Sequence, residues 1–170
     1  MNLIVAVTKE WGIGCDNCLL FDLPDDMKFF KNATLNKVVV MGRKTLMSFP
    51  GSKPLKNRTN IVLTRDKDFQ PEGVIVLNSF DEMFEELKKY DSNDVYIIGG
   101  GNIYNQLYPH CHEALITKVD ALAKADTYLH NFDEDENFEH IYESENYNNN
   151  GYNFTFNTYK NKAVKEWAGC

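Results

Sequence analysis

The sequence predicts an α/β fold: one domain with a central mixed, mostly parallel sheet of about eight strands, flanked by about four helices. Three observations lead there. Several apolar runs are continuous rather than alternating, Leu3-Ile4-Val5-Ala6-Val7 and Val38-Val39-Val40-Met41 among them. Such strands are buried on both faces, as in a sheet covered by helices. These runs alternate with helix-like segments in the order strand, helix, strand, helix, strand, strand, helix, strand, helix, which is the pattern of a parallel sheet. Finally, 170 residues with 43% hydrophobic content suit one sizeable core. The domain is expected over residues 1–160, with 161–170 a C-terminal tail of the kind that is often disordered.

The first strand, Leu3 to Val7, leads into a loop from Thr8 to Leu20, punctuated by Gly12, Gly14, Asp16 and Asn17. A helix follows from Pro24, whose missing N–H is tolerated in a first turn, and ends near Asn32 to Asn36. Asp25 and Asp26 fall in that first turn, where the helix dipole favours negative charge. On a helical template Leu23, Met27 and Phe30 share a face with Asp26, while Asp25, Lys28 and Asn32 take the other. Asp26 is thus a carboxylate on an apolar stripe, flanked by Phe29 and Phe30, an expensive place for a charge. Two readings are open: a first-turn acid at the edge of a buried face, or a functional acid with a perturbed pKa.

The second strand, Lys37 to Met41, runs into Gly42-Arg43-Lys44-Thr45 and a helix over Thr45 to Phe49. Glycine, cations and a hydroxyl at a strand end suit a phosphate, although the earlier glycine of a P-loop is absent. After a turn over Phe49 to Pro54, Asn60 to Leu63 is a third strand that ends at Thr64-Arg65-Asp66. Gly73 to Leu77 is a fourth. Ser79 and Glu82 form a capping box for a helix through Lys89. The fifth strand, Asp94 to Ile98, enters Gly99-Gly100-Gly101-Asn102-Ile103-Tyr104 and a helix to Tyr108. Tyr104 stands where a dinucleotide fingerprint needs its third glycine, so this is a glycine turn at a helix start rather than a Rossmann signature. Ala114 to Val119 and, after a turn over Tyr147 to Tyr152, Asn153 to Lys160 are the last strands, expected to add antiparallel; Asp126-Thr127-Tyr128 reads as polar loop.

The net charge is −7, and residues 131–150 hold seven acids and no Lys or Arg, so the rest of the chain is neutral by count. The acidity is local, reads as a solvated surface, and argues against nonspecific nucleic-acid binding. No apolar run is long enough to span a membrane, and the first residues lack the basic region of a signal peptide; a cytoplasmic protein is expected. Cys15-Asp16-Asn17-Cys18 has zinc or redox spacing, and His110-Cys111-His112 could in principle complete a metal site. A second CxxC or an HxxxH is missing, and a redox pair would open a helix after a strand. Free thiols are the better reading, and no metal is expected. In open α/β sheets ligands bind outside the carboxyl ends of strands. Arg43, Lys44 and Arg65, beside glycine turns at such ends, suit a polyanionic, phosphate-rich cofactor.

In this order and spacing, several pieces resemble dihydrofolate reductase over about residues 2 to 160. They are Leu3-Ile4-Val5-Ala6, Gly12-Ile13-Gly14, Leu23 to Phe30, Val40 to Thr45, Arg58 to Arg65, Ile97 to Tyr104, and Thr117 with Asp126-Thr127. The resemblance is to bacterial-type members, with Asp rather than Glu as the single active-site carboxylate. It implies NADPH-dependent reduction of 7,8-dihydrofolate to tetrahydrofolate, by hydride transfer to C6 and protonation at N5, in support of one-carbon metabolism and thymidylate synthesis. It also implies antifolate binding and a monomer. Asp26 would hold the pterin, its pKa raised by apolar surroundings, and Thr117 would hydrogen-bond it. Phe21 and Leu19 would complete the catalytic group. Ile4, Val5, Met27, Phe30, Phe49, Leu55, Ile98 and Tyr104 would line the substrate site, and Arg58 would pair with the glutamate α-carboxylate. The cofactor would be held by Ala6, Ile13, Gly14, Asn17, Leu19, Gly42, Arg43, Lys44, Thr45, Leu63, Thr64, Arg65, Asn78, Ile98, Gly99, Gly100, Gly101, Asn102, Ile103 and Tyr104. Within that set Arg43, Thr64 and Arg65 would face the 2′-phosphate, and Gly99-Gly100 would be cis. Residues 12 to 20 would be a mobile loop over the nicotinamide.

The sequence departs from the family pattern at three places. Phe21 stands where Trp is usual and has no N–H to hold a water. Leu20 replaces a usual Pro. Cys15 and Cys18 are unusual in that loop and open it to oxidation. Two other readings compete: a related reductase such as that of riboflavin synthesis, which would need neither Asp26 as a pterin anchor nor Arg58 as a clamp, and a non-enzymatic module that binds nucleotide or pterin without turnover.

Overall fold

A computed structural model describes residues 1–169. In chain order its elements are β1 (Asn2–Val7), β2 (Gly12–Gly14), α1 (Pro24–Thr34), β3 (Val38–Gly42), α2 (Arg43–Ser48), β4 (Thr59–Leu63), β5 (Ile75–Leu77), α3 (Phe80–Leu87), β6 (Val95–Gly99), α4 (Gly101–Leu107), β7 (Glu113–Val119), β8 (Thr127–Tyr128), β9 (Phe138–Glu143), β10 (Tyr147–Asn149) and β11 (Tyr152–Asn161). The main sheet runs β10-β11-β7-β1-β6-β3-β4-β5, and β9 adds to β11. From β7 to β5 every pairing is parallel; β11 is antiparallel to β7, β9 and β10. A separate ribbon pairs β2 with β8.

The continuous apolar runs are explained by two cores, one on each face of the sheet. Side chains alternate along a strand, so Val38 and Val40 join Leu3, Ile61 and Ile97 on the face covered by α3 and α4, through Met83, Leu87, Ile103 and Leu107. Val39 and Met41 join Ile4, Val62 and Ile98 on the face covered by α1 and α2, through Phe29, Phe30, Ala33 and Leu46.

Several expectations need correction. β7 is parallel to β1, not antiparallel, because α4 is a crossover that returns the chain in the same direction. Leu23 is not in the α1 stripe. It is the extended residue before the helix (φ −125°), buried with Val119 and Phe154, so helical spacing counted from it misplaces Met27. Met27 is 52% exposed, and the buried side of α1 runs through Asp26, Phe29, Phe30, Ala33 and Thr34. The acidic stretch contains a strand, β9, anchored by Phe138 with its other residues exposed. Ser79 does cap α3, accepting from the Glu82 N–H at 3.1 Å, while the Glu82 carboxylate accepts from the N–H of Asn78. The helix ends at Leu87, short of Lys89.

Beyond β11, residues 162–169 form neither helix nor strand, yet they touch the body. The Lys165 N–H donates to the Pro109 carbonyl, and Trp167 stacks on Phe84 and donates its indole N–H to Asp81. Cys170 lies outside the described residues.

Candidate active site

The N-terminus of α1 has no side-chain cap of its own. Asn149 of β10 supplies one from a distant part of the chain: its Oδ1 accepts from the Asp25 N–H at 2.8 Å, and its Nδ2 donates to the Asp25 carboxylate at 2.9 Å. Asn150 donates to the Asp22 carbonyl at 2.8 Å. This hairpin fixes the turn that presents Asp26. From β7, the Thr117 hydroxyl donates to Asp26 Oδ1 at 2.6 Å. Burial pushes the Asp26 carboxyl above the usual carboxylate range, and the Thr117 bond opposes the shift. Close by, the buried Tyr104 hydroxyl donates to the Ile4 carbonyl at 2.8 Å. Its phenol is raised by burial and by the charge of Asp26.

On the same side of the sheet as α1, Phe30, Phe49 and Leu55 pack with Ile4 and Ile98 in one apolar cluster. Val5, next along the strand, turns its side chain to the opposite face of the sheet and does not join them. Arg58 is held in place by two donations, Nε to Thr34 Oγ1 at 3.2 Å and Nη1 to the Lys56 carbonyl at 2.8 Å. Among the described residues it has no carboxylate partner, so its remaining N–H groups are available to a ligand. Phe21 packs edge-on against Tyr152 in a cluster with Leu23, Val119 and Phe154. It brings only carbon to this corner. Leu19 is 75% exposed on the loop.

The strand ends of β3, β4 and β6 open into a cleft of about 1300 Å³. Of the residues expected to hold a cofactor, Asn17, Gly42, Arg43, Lys44, Thr45, Leu63, Thr64, Arg65, Asn78, Gly100, Gly101, Asn102 and Ile103 line it. Ala6, Gly14, Leu19, Ile98 and Tyr104 are not on its wall. Gly99 sits behind Thr45 and Tyr104, and the Gly99–Gly100 peptide is cis. Ile13 reaches the rim, near Gly101, where a Cβ would come within 2.3 Å of the Thr127 methyl. Arg43 is shared with Asp66 at 3.5 Å and lies over Phe69. Lys44 and Arg65 have no acid partner among the described residues.

Sequence reasoning missed Asp16, Met47, Ser79, Phe80, Gln106, Asp126 and Thr127 on this wall. Ser79 and Phe80 follow directly from Asn78, and the helix cap there was a usable signal. Asp126 and Thr127 are part of the family resemblance but are given no cofactor role there, because two- and three-residue strands leave no pattern that would place them. Asp126 Oδ2 accepts from the Asp16 N–H at 2.8 Å, which lowers its pKa, and its own N–H reaches the Gly14 carbonyl at 3.0 Å. Asn17 donates to the Lys44 carbonyl at 2.9 Å, so the loop is tied to both sides of the cleft. The histidines do not meet the CxxC pair: His112 lies against the N-terminal amine, and His110 bonds the Lys165 carbonyl. Cys111 is buried and its thiol is pushed up to about 12.

Fold and site together define a class: an α/β oxidoreductase with a cation-lined cleft for a phosphate-rich cofactor and a half-buried carboxylate of raised pKa. Comparison with known proteins narrows it. The chain matches the family described as Dihydrofolate reductase over residues 1–161. It is 34% identical over 133 residues to the dihydrofolate reductase of Buchnera aphidicola subsp. Baizongia pistaciae, covering 78% of this chain and 79% of that one. It is 38% identical over 129 residues to dihydrofolate reductase type 3 of Salmonella typhimurium, covering 76% and 77%. A solved dihydrofolate reductase from Enterococcus faecalis, complexed with NADP(H) and RAB-propyl, superposes with a TM-score of 0.84 at 32% identity, covering 94% of this chain and 95% of that one. The chain belongs to the dihydrofolate reductase family, and dihydrofolate reduction is its reaction.

Proposed function

We propose that the chain reduces 7,8-dihydrofolate to 5,6,7,8-tetrahydrofolate through the residues described above, with Asp26 as the group that governs protonation at N5. The observation that carries the proposal is the short bond from Thr117 to a half-buried Asp26 on the side of α1 that also packs Phe29 and Phe30 into an apolar cluster. NADPH, when bound, supplies the hydride for C6. The cleft suits it chemically: Lys44 and Arg65 are cations without acid partners, Arg43 adds a third, and glycine backbone at 100 and 101 lets phosphate approach closely.

Thr117 occupies one lone pair of Asp26 Oδ1, which leaves the other lone pair of Oδ1 and both of Oδ2 to accept from the pterin amino group and ring nitrogen. A carboxyl raised by burial exchanges its proton nearer to neutral pH than an ordinary one, and its field favours the protonated N5. Phe30, Phe49 and Leu55 take the benzoyl part. Arg58, oriented by Thr34 and Lys56, clamps the α-carboxylate with two parallel bonds. Phe21 offers no N–H, so any water that relays the proton is held by backbone or substrate rather than by this side chain. We also assign antifolates to this pocket, and a monomeric, cytoplasmic setting, as is usual for separate reductases of the family.

The test is NADPH consumption with dihydrofolate, beside Asp26→Asn. Turnover in the variant should fall about 10²–10⁴-fold at neutral pH. It should recover as the pH drops and the substrate brings its own proton. Unchanged turnover would remove Asp26 from the mechanism.

A further inference from the structure

The tip of the loop that borders the cofactor cleft carries groups the reduction does not use. Cys15 and Cys18 face each other across a miniature ribbon, exchanging both backbone bonds, Cys15 N–H to the Cys18 carbonyl at 3.3 Å and the reverse at 3.0 Å. Asp16 and Asn17 between them both have positive φ, 50° and 59°, which is the tight two-residue turn that matches a twisted hairpin. Directly opposed residues of an antiparallel pair project from the same face, with Cβ atoms roughly 4.5–5.5 Å apart. Both thiols therefore leave the ribbon on one side. On that side β8 brings Asp126, fixed by its bond to the Asp16 N–H. As a result the Cys15 sulfur, an Asp16 carboxylate oxygen and an Asp126 carboxylate oxygen lie within 4.8 Å of one another. Neither cysteine is in a disulfide, and the exposed Cys18 has its sulfur outside that group of three.

We infer that Cys15, Cys18, Asp16 and Asp126 form a binding site for a thiophilic divalent cation of the zinc type. Two sulfurs and two carboxylate oxygens are a four-ligand set that zinc accepts and that magnesium or calcium does not favour. Two thiolates on one tetrahedral zinc stand roughly 3.8 Å apart, from a Zn–S distance of about 2.3 Å. Rotation of the exposed Cys18 side chain closes that gap from the opposed positions on the ribbon. Asp16 and Asp126 also set two carboxylates beside the Cys15 sulfur, and their charges attract a cation. This donor set replaces the one the spacing first suggests, because His110 and His112 are engaged elsewhere. A bound ion would join the loop to β8 at a point where Asp16, Asn17 and Asp126 also form the cleft wall. It would therefore hold the loop against the cleft and slow the exchange of whatever the cleft contains.

Titration of the whole chain with Cd²⁺, a spectroscopic stand-in for Zn²⁺, tests the site by thiolate-to-metal charge-transfer absorption, with no reliance on catalysis. One equivalent should saturate the band, and Zn²⁺ should displace it. Cys15→Ser and Cys18→Ser should each weaken binding at least about tenfold and diminish the band, as expected for loss of one thiolate ligand. A band that survives both substitutions, ions that bind without a band, or no binding at stoichiometric concentrations would each overturn the site. If a variant does not fold, alkylation of the unaltered chain gives the same answer: Zn²⁺ should protect Cys15 and Cys18 in peptide maps, and equal labelling with and without Zn²⁺ would refute the proposal.

Discussion

Asp26 sits among Phe29, Phe30 and Thr117, and burial raises its carboxyl above the ordinary value of about 3.9. A group whose folded pKa is raised adds stability at pH values below its unfolded pKa. That contribution is lost as the pH climbs through the folded value, above which the fold carries an underpaired buried charge. Asp26→Asn keeps the shape and an acceptor for Thr117 but has no charge. Its thermal midpoint should therefore exceed the parent's at neutral pH, and the gap should close below about pH 4. Equal midpoints across that range would mean that water, rather than apolar packing, surrounds the carboxylate. Gained stability beside lost turnover is the trade expected where a site is held in a costly state. Arg58 is a different kind of residue. Its clamp on the substrate tail would act equally in ground and transition states, so Arg58→Leu should raise the KM for dihydrofolate about 10–100-fold and leave kcat within a few-fold. Arg58→Lys should recover only part of the loss, because an ammonium cannot match two carboxylate oxygens at once. A KM unmoved by Arg58→Leu would take the clamp away from this side chain.

The elements differ in how far the sequence could announce them. β1, β3, β4 and β6 are legible because burial on both faces demands an unbroken apolar run, and α3 because Ser79 and Glu82 cap it locally. α1 is legible as a helix, but its apolar side was read one position out, since Leu23 lies just outside the helical phase. Its real cap, Asn149, comes from a hairpin 124 residues later, and no local pattern encodes such a contact. β2, β8 and β10 are only two or three residues long, and β9 exposes every side chain but Phe138, so neither periodicity nor hydrophobicity marks them. The cost of that blindness is clearest at α4. Its first residue, Gly101, packs under the β8 residue Thr127, and any Cβ there would strike the Thr127 methyl at 2.3 Å. Turning that methyl away would break the bond from the Thr127 hydroxyl to Asp126. Gly101→Ala should accordingly destabilise the fold by about 1–3 kcal/mol through overpacking. Adding Thr127→Ser, which removes the methyl and keeps the hydroxyl, should restore most of it. A double-mutant cycle in denaturant reads the coupling, and additive effects would show that the two residues do not meet.

Across the whole molecule, sheet order separates two kinds of work. The ends of β3, β4 and β6 carry glycines and cations, whereas α1 and β7 carry the half-buried carboxylate and its hydroxyl partner. The seven acids of residues 131–150 fall around β9 and β10 at the other edge, so a chain of net charge −7 still keeps a cationic cleft. The last residues bear on this arrangement. Trp167 stacks on Phe84 at 4.9 Å and 12°, lies 5.9 Å from Phe80 and 5.6 Å from His110, and bonds Asp81, so it closes the outer side of α3. Phe80 in turn lines the cleft. A half-buried Trp with a stacked partner and a satisfied N–H contributes on the order of 2 kcal/mol, less than full burial would give. Trp167→Ala should therefore lower the thermal midpoint by about 4–8 °C in a chain of this size. Removal of residues 162–170 should lower it further, because the backbone of Lys162 and Lys165 also bonds the body. The KM for NADPH should rise modestly through Phe80, while that for dihydrofolate should stay put, since the tail touches nothing near Asp26. If the midpoint moves by less than about 1 °C, the tail only lies along the surface and α3 stands without it. If instead the dihydrofolate KM changes as much as that of NADPH, the two halves of the sheet are mechanically coupled, and the separation of work by strand order would not hold.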